Sequence, residues 1–123
     1  MNAEKIIAEL SQKYPNKKII KLPEDNPTEI LCEIDPAINH LKKSVAIAII
    51  DKSESHYHKK ATETYKVIKG ILSIVIDGRK NKLEEGDSLS VKPRDIHYAI
   101  GDETWVEVYS KPGWVPEDHI LVK

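Results

Sequence analysis

The chain has 123 residues, of which 40% are hydrophobic and 32% are charged, values typical of one globular domain. A net charge of -1 at pH 7 predicts no general attraction to nucleic acid or to an anionic membrane surface. We find no signal peptide and no apolar run approaching the roughly 20 residues of a membrane helix. The single cysteine, Cys32, excludes an internal disulfide and fits a reducing compartment, so we expect a cytoplasmic protein with Cys32 in its core.

One short helix is predicted in the N-terminal segment, residues 1–16. Apolar side chains recur at helical spacing over residues 3–14, including Ile6 and Leu10, and Pro15 ends the pattern. Charged residues occupy the other face. We expect this helix to pack on the outside of the domain or on a partner subunit, and not to carry chemistry.

The rest of the chain predicts short strands separated by turn residues. Asp77-Gly78 is a strong signal for a tight hairpin, since glycine accepts the positive φ that such turns need. Gly101-Asp102 predicts a further turn. Turn signals roughly every 8–12 residues favour a β-sandwich or barrel. The expected strands are 18–22, 28–34, 44–50, 56–58, 63–68, 71–76, 80–83, 88–91, 97–100, 105–109 and 120–122.

A cluster of candidate metal ligands begins at His56 and His58. Side chains alternate along a strand, so these two imidazoles share a face. Glu63 follows at the start of an apolar strand, where an inward carboxylate is costly unless it meets a cation or a donor. With His97 from a later strand, three imidazoles and one carboxylate would hold a divalent transition metal and leave positions open. Taken alone, His56 and His58 would be surface strand residues near a loop.

The remaining histidine residues and several aromatic residues have expected roles of their own. Tyr65, two residues after Glu63 on the same face, is the candidate catalytic side chain, and its alternative role is an inner-wall aromatic with a hydrated hydroxyl. His40 is expected in an exposed loop. His119 is expected outside the cluster, paired with acid or water. Both tryptophans are expected in the core or at a subunit interface.

The first set of spacings resembles the first motif of the cupins, which are small double-stranded β-helix proteins. That motif runs glycine, five residues, H-x-H, three or four residues, glutamate, six residues, glycine. His56, His58, Glu63 and Gly70 fit it at the required separations. The opening glycine is missing, because Ile50 occupies that position.

The second cupin motif is matched in part. It runs glycine, five residues, P-x-G, two residues, histidine, three residues, asparagine. Gly86 and His97 fit at the required separation, whereas Lys92 and Arg94 replace the proline and glycine and Gly101 replaces the asparagine. The turn before His97 is therefore expected to differ in shape, but no ligand is lost.

The resemblance implies an all-β, double-stranded β-helix (jelly-roll) fold of six to ten antiparallel strands, preceded by one short helix. Residues 1–123 would form a single cupin domain with its barrel core at 44–110. The resemblance also implies a homodimer that binds a small molecule. The implied ligands of a divalent Fe, Mn, Ni or Zn ion are His56, His58, Glu63 and His97.

For function the resemblance leaves alternatives open, because one fold carries many activities. The first is a metal-dependent enzyme acting on a small polar substrate, either dioxygenase-like or sugar isomerase- or epimerase-like. The second is a non-catalytic small-molecule or sugar-binding cupin in which the metal is structural. A structural cupin with an empty site is a third, and the intact four-ligand set argues against it.

Overall fold

The computed structural model describes residues 1–39 and 41–122; His40, predicted to be exposed, therefore lies outside the described residues. Within that part of the chain there are one α-helix, ten strands and one short 3-10 helix at Pro116–Asp118. None of its helices has the length and apolar character needed to span a membrane. The elements are α1 Ala3–Lys13, β1 Lys18–Leu22, β2 Glu29–Asp35, β3 Ser44–Lys52, β4 His56–Tyr57, β5 Thr62–Lys69, β6 Leu72–Ile76, β7 Arg79–Leu83, β8 Ser88–Val91, β9 His97–Lys111 and β10 Ile120–Leu121.

The long strand β9 connects two antiparallel sheets. Its first residues pair with β4 on one side and β6 on the other, and β7 and β10 extend that sheet. Its remaining residues pair with β3 and β5, in a sheet that continues through β2 to β1 and through β5 to β8. This arrangement confirms the predicted double-stranded β-helix.

The predicted turn at residues 101–102 is wrong, because β9 continues through it. The pairing of β9 with β3 shifts register between Ile50 and Lys52, which marks a bulge. A Cβ atom on Gly101 would lie 2.5 Å from Oγ1 of Thr104 and 2.7 Å from the carbonyl oxygen of Ile50. No side chain fits there, so glycine allows β9 to bend from one sheet into the other. The Gly-Asp pair marks a bend within a strand, not its end.

Aliphatic side chains fill two separate cores, one inside the barrel and one under the helix. In the outer core, Ile6 and Leu10 of α1 pack against Ile30 and Cys32 of β2 and against Trp105. The helix therefore lies on the outside of the sheet, as predicted, and Cys32 is a buried core residue. The inner core is formed by Ala48, Ile50, Tyr65, Val67, Leu72, Ile74, Leu83, Val91, Ala99 and Val106.

Candidate metal centre

Strand pairing brings the four predicted ligands together. His56 pairs with His97 across β4 and β9, which joins the second motif to the first. His58 follows β4 directly, and Glu63 is the second residue of β5. One ligand atom from each side chain lies within 4.8 Å of all the others, and all four side chains are buried. The four side chains therefore converge on one point, as a metal site requires.

Backbone carbonyls fix the orientation of the three imidazoles. Each ring donates from Nδ1 to one carbonyl oxygen, an arrangement that leaves the Nε2 lone pair as the free ligand atom. Bonds of this kind also hold a ring in place before a metal arrives. The three bonds run from His56 to Glu54 at 2.7 Å, from His58 to Asp118 at 2.8 Å and from His97 to Asp95 at 2.9 Å.

The atoms at the middle of the cluster lack partners that proteins normally supply. Nε2 of His58 and Nε2 of His97 are buried and have no hydrogen-bond partner among the described residues. They lie 3.0 and 3.5 Å from Oε1 of Glu63. Two nitrogen lone pairs and a carboxylate oxygen repel one another unless a cation lies between them. The donor set therefore fits a divalent transition metal.

The pKa shifts of His58 and Glu63 also indicate that positive charge is favourable at the centre of the cluster. Burial lowers the pKa of His58, but the close contact of its Nε2 with the Glu63 carboxylate, and the negative charge of that carboxylate, outweigh burial and raise the pKa. Burial likewise raises the pKa of Glu63, yet His58 and His97 hold it below its usual range. The pKa of His56 falls to about 3, first through burial and then through the charges of neighbouring imidazoles, so His56 stays neutral at pH 7. A proton on the cluster therefore competes with a metal ion.

Tyr65 contacts the candidate carboxylate ligand. Its hydroxyl donates to Oε1 of Glu63 at 3.1 Å, and the residue is 5% exposed. Burial, followed by the charges of Glu63 and Glu29, raises the pKa of Tyr65 well above its usual value, so the phenol remains a donor. The observed contact orients Glu63. A catalytic role for Tyr65 stays a prediction.

Asp118, which the sequence analysis missed, connects the C-terminal segment to the ligand loop. Its carbonyl oxygen accepts the Nδ1 proton of His58. Its carboxylate accepts backbone N–H groups of the loop after His58, from Lys59 at 2.8 Å, Lys60 at 3.2 Å and Ala61 at 3.1 Å. One residue therefore positions both a ligand and the loop that leads to Glu63.

His119 is not one of the four clustered ligands, but the acidic partner expected for it is wrong. Its ring stacks on His56, with centroids 4.1 Å apart and an interplanar angle of 11°. Its Nδ1 accepts from Nε1 of Trp114 at 3.3 Å, so its partner is an indole and not an acid. Burial, then the charge of His58, lowers the pKa of His119 to about 4. Trp114 also lines the cavity described next.

The cluster opens onto a cavity of about 570 Å³, a volume that includes its open mouth. His56 and Glu63 form part of its wall, so the free side of the cluster faces this space. A second cavity of about 360 Å³, again counted with its open mouth, shares part of this wall. The residues that line both cavities are Leu22, Glu29 and His119.

Glu29 is a second acidic residue at the cavity that the sequence analysis missed. It lies on β2 two residues before Leu31, which packs on the inner core, so its side chain shares the inner face. Burial, and then the charges of Glu63 and Glu54, raises its pKa to about 8. Glu29 is the second residue of the run 28–34, which was interpreted as apolar, and only the alternation along that run could have indicated that its carboxyl faces inward.

The sequence model of the cupin domain family matches residues 46–109 of this chain. This is more than half of the chain, and the chain therefore belongs to the cupin family. No match was found among curated protein sequences.

Solved structures share the fold at low sequence identity. Pac13 from Streptomyces, a nucleoside dehydratase, is 12% identical with a TM-score of 0.76, over 89% of this chain and 88% of that chain. KdgF from Halomonas sp. is 16% identical with a TM-score of 0.65, over 74% and 86%. A Klebsiella pneumoniae protein with a double-stranded β-helix domain is 22% identical with a TM-score of 0.67, over 80% and 88%. Identities this low indicate a shared fold and leave the reaction open.

Proposed function

We propose that the chain is a metal-dependent cupin enzyme that acts on a small polar molecule at a centre formed by His56, His58, Glu63 and His97. One observation carries the proposal. Two buried imidazole nitrogens without partners face a buried carboxylate oxygen, and a divalent cation would satisfy all three.

The residues around the centre have separate roles in this proposal. The metal ion would supply Lewis-acid polarisation of a carbonyl or hydroxyl group. The carbonyl-bound imidazoles keep their Nε2 atoms aimed at the centre, and Tyr65 holds Glu63 through its hydroxyl. Trp114 and His119 form part of the cavity wall and limit the space for a ligand.

Metal content tests the proposal directly. The protein is purified without added metal, and divalent metals are measured by elemental analysis together with the protein concentration. We expect about one transition-metal ion per chain. Iron would favour dioxygenase-like chemistry, whereas zinc or manganese would favour an isomerase-like reaction or a binding role.

A pair of variants assigns the ion to these ligands. His58→Ala removes one imidazole, and we expect affinity to fall by at least about 100-fold, beyond the loss caused by altering an outer-shell partner. His119→Ala is the matched control, because this half-buried imidazole stacks on His56 beside the centre but lies outside the ligand set. Full occupancy in the His58 variant, or loss of metal in the His119 variant, would contradict the assignment.

Three further expectations belong to this proposal. Residues 1–123 form one cupin domain, the protein pairs as a homodimer, and it works in the cytoplasm. The homodimer can be tested by sedimentation at micromolar concentration, where a monomeric mass would count against it.

A further inference from the structure

The walls of the two adjoining cavities carry acidic side chains. Glu29, Glu33 and Glu63 line the larger cavity, and Glu29 and Glu54 line the smaller one. Among residues 1–39 and 41–122, no lysine or arginine lines either cavity. A carboxylate or phosphate entering this space would therefore meet acidic side chains and no guanidinium or ammonium partner.

Glu29 is placed to contact whatever enters. It is one of the residues that line both cavities. Its neighbours on the inner face of the strand pairs are aliphatic, since Leu22 lies opposite it on β1 and Leu31 follows it on β2. Within the described residues its carboxyl has neither a hydrogen-bond donor nor a cation as partner. Such a carboxyl in an apolar wall is an acceptor that a ligand can satisfy.

The metal centre supplies an independent sign that this cavity takes a ligand. The unpartnered Nε2 atoms of His58 and His97 lie against the Glu63 carboxylate, and Glu63 and His56 form part of the cavity wall. A divalent ion there would compensate Glu63 and leave one positive charge. The charge of Glu63 contributes to the raised pKa of Glu29, so a divalent ion beside Glu63 favours the ionised form of Glu29. Ionised Glu29 and Glu33 together exceed the remaining positive charge, so the cavity as a whole stays unfavourable to anions.

We propose that this cavity selects a small neutral or cationic molecule whose hydroxyl or ammonium group is bound by Glu29, and that it rejects carboxylates and phosphates. The inference rests on the proposed metal centre, which would hold the other end of the same molecule. It narrows the substrate class to polyols, hydroxy compounds and amines.

Three hydroxamates with the same metal-binding head test the charge preference. β-Alanine hydroxamate carries an ammonium tail, 3-hydroxypropanohydroxamate a hydroxyl tail, and succinate monohydroxamate a carboxylate tail, each two methylene groups from the head. The protein is loaded with Co(II), and each probe is titrated while the visible absorption of the cobalt is recorded. We expect the carboxylate probe to bind at least tenfold more weakly than the other two.

Two charge-matched variants assign that preference. Glu29→Gln should reduce the discrimination between ammonium and carboxylate probes at least threefold, whereas Glu85→Gln, an exposed carboxyl in the turn between β7 and β8, should leave it unchanged. Circular dichroism checks that both variants fold. If Glu29→Gln does not fold, Glu33→Gln, on the same wall, replaces it with the same expected direction.

The outcomes separate this inference from the proposed function. Absence of a cobalt spectrum before any probe is added would contradict the metal centre itself. A normal cobalt spectrum with equal or tighter binding of the carboxylate probe would overturn the charge preference. Failure of all three probes to bind would overturn the inference that the cavity reaches the centre. Unchanged discrimination in a folded Glu29→Gln protein would overturn the role of Glu29.

Discussion

Replacing Asp118 by alanine is predicted to weaken metal binding without removing a ligand. The carbonyl oxygen that accepts the Nδ1 proton of His58 belongs to the backbone and remains in every variant. The carboxylate that ties this backbone to the ligand loop is lost. His58 then has a looser partner, and disturbed partners of metal ligands typically reduce affinity by about 10- to 100-fold.

The same substitution is also expected to lower the free energy of unfolding, and each lost hydrogen bond makes a separate contribution to that loss. Ala61 is 1% exposed, so water cannot replace the carboxylate at its N–H group, and leaving that donor unpaired costs about 1–3 kcal/mol. The N–H groups of Lys59 and Lys60 belong to exposed residues and can turn to water, so each contributes about 0.5 kcal/mol. Together these contributions predict a loss of about 2–4 kcal/mol in unfolding free energy.

Two measurements and two reference variants test this reasoning. Unfolding of the metal-stripped protein in urea gives the stability, and competition with a chromophoric chelator gives the metal affinity. Asp118→Asn should lie between wild type and alanine, because an amide keeps one acceptor. Glu117→Ala removes the same charge from an exposed neighbour and should change neither quantity. Wild-type metal affinity in a destabilised Asp118→Ala protein would refute the link between the loop and His58.

Two further predictions concern the bend in β9 and the acidic cavity wall. Gly101→Ala should reduce the unfolding free energy by roughly 1–3 kcal/mol in urea, because the new Cβ would overlap Thr104 and Ile50; wild-type stability would contradict the close approach. For Glu29, a pKa raised to about 8 means that the metal-free protein loses stability as the pH rises from about 4.5 through 8. Glu29→Gln does not titrate, so its stability relative to wild type should be higher at pH 9 than at pH 5; a pH-independent difference would contradict the shift.

The sequence predicted the part of the site that lies within short stretches of chain. Alternation along a strand is sufficient to place His56 and His58 on one face, and a short turn returns Glu63 to the same point. His97 required the family resemblance, because nothing local determines which later strand pairs with β4. The structure supplies that pairing through the register of His56 with His97.

The residues that the sequence analysis missed or misplaced come from distant segments. Asp118 is separated from the loop it binds by 57 to 59 positions, and no local pattern distinguishes its carboxylate from any other in an irregular tail. His119 is the next residue in the chain, so it also lies at the metal centre, where its ring stacks on His56. The short pairing of β10 with β4 brings both residues to the site.

These distant segments explain why the fold and ligand set are easier to derive than the activity. The metal ligands are defined by spacing within the two motifs, whereas the cavity wall is formed by β2, by the tail and by the side chains they happen to carry. Glu29 illustrates the difference. The start of its strand was predicted to within one residue, but the sequence analysis did not identify its place on the cavity wall. A cupin's reaction depends on which polar groups surround an otherwise similar centre. At the cavity of this chain those groups include Glu29, Glu33, Ser44, Ser110, Trp114 and His119. Variants at these positions are expected to alter ligand binding without removing a metal ligand.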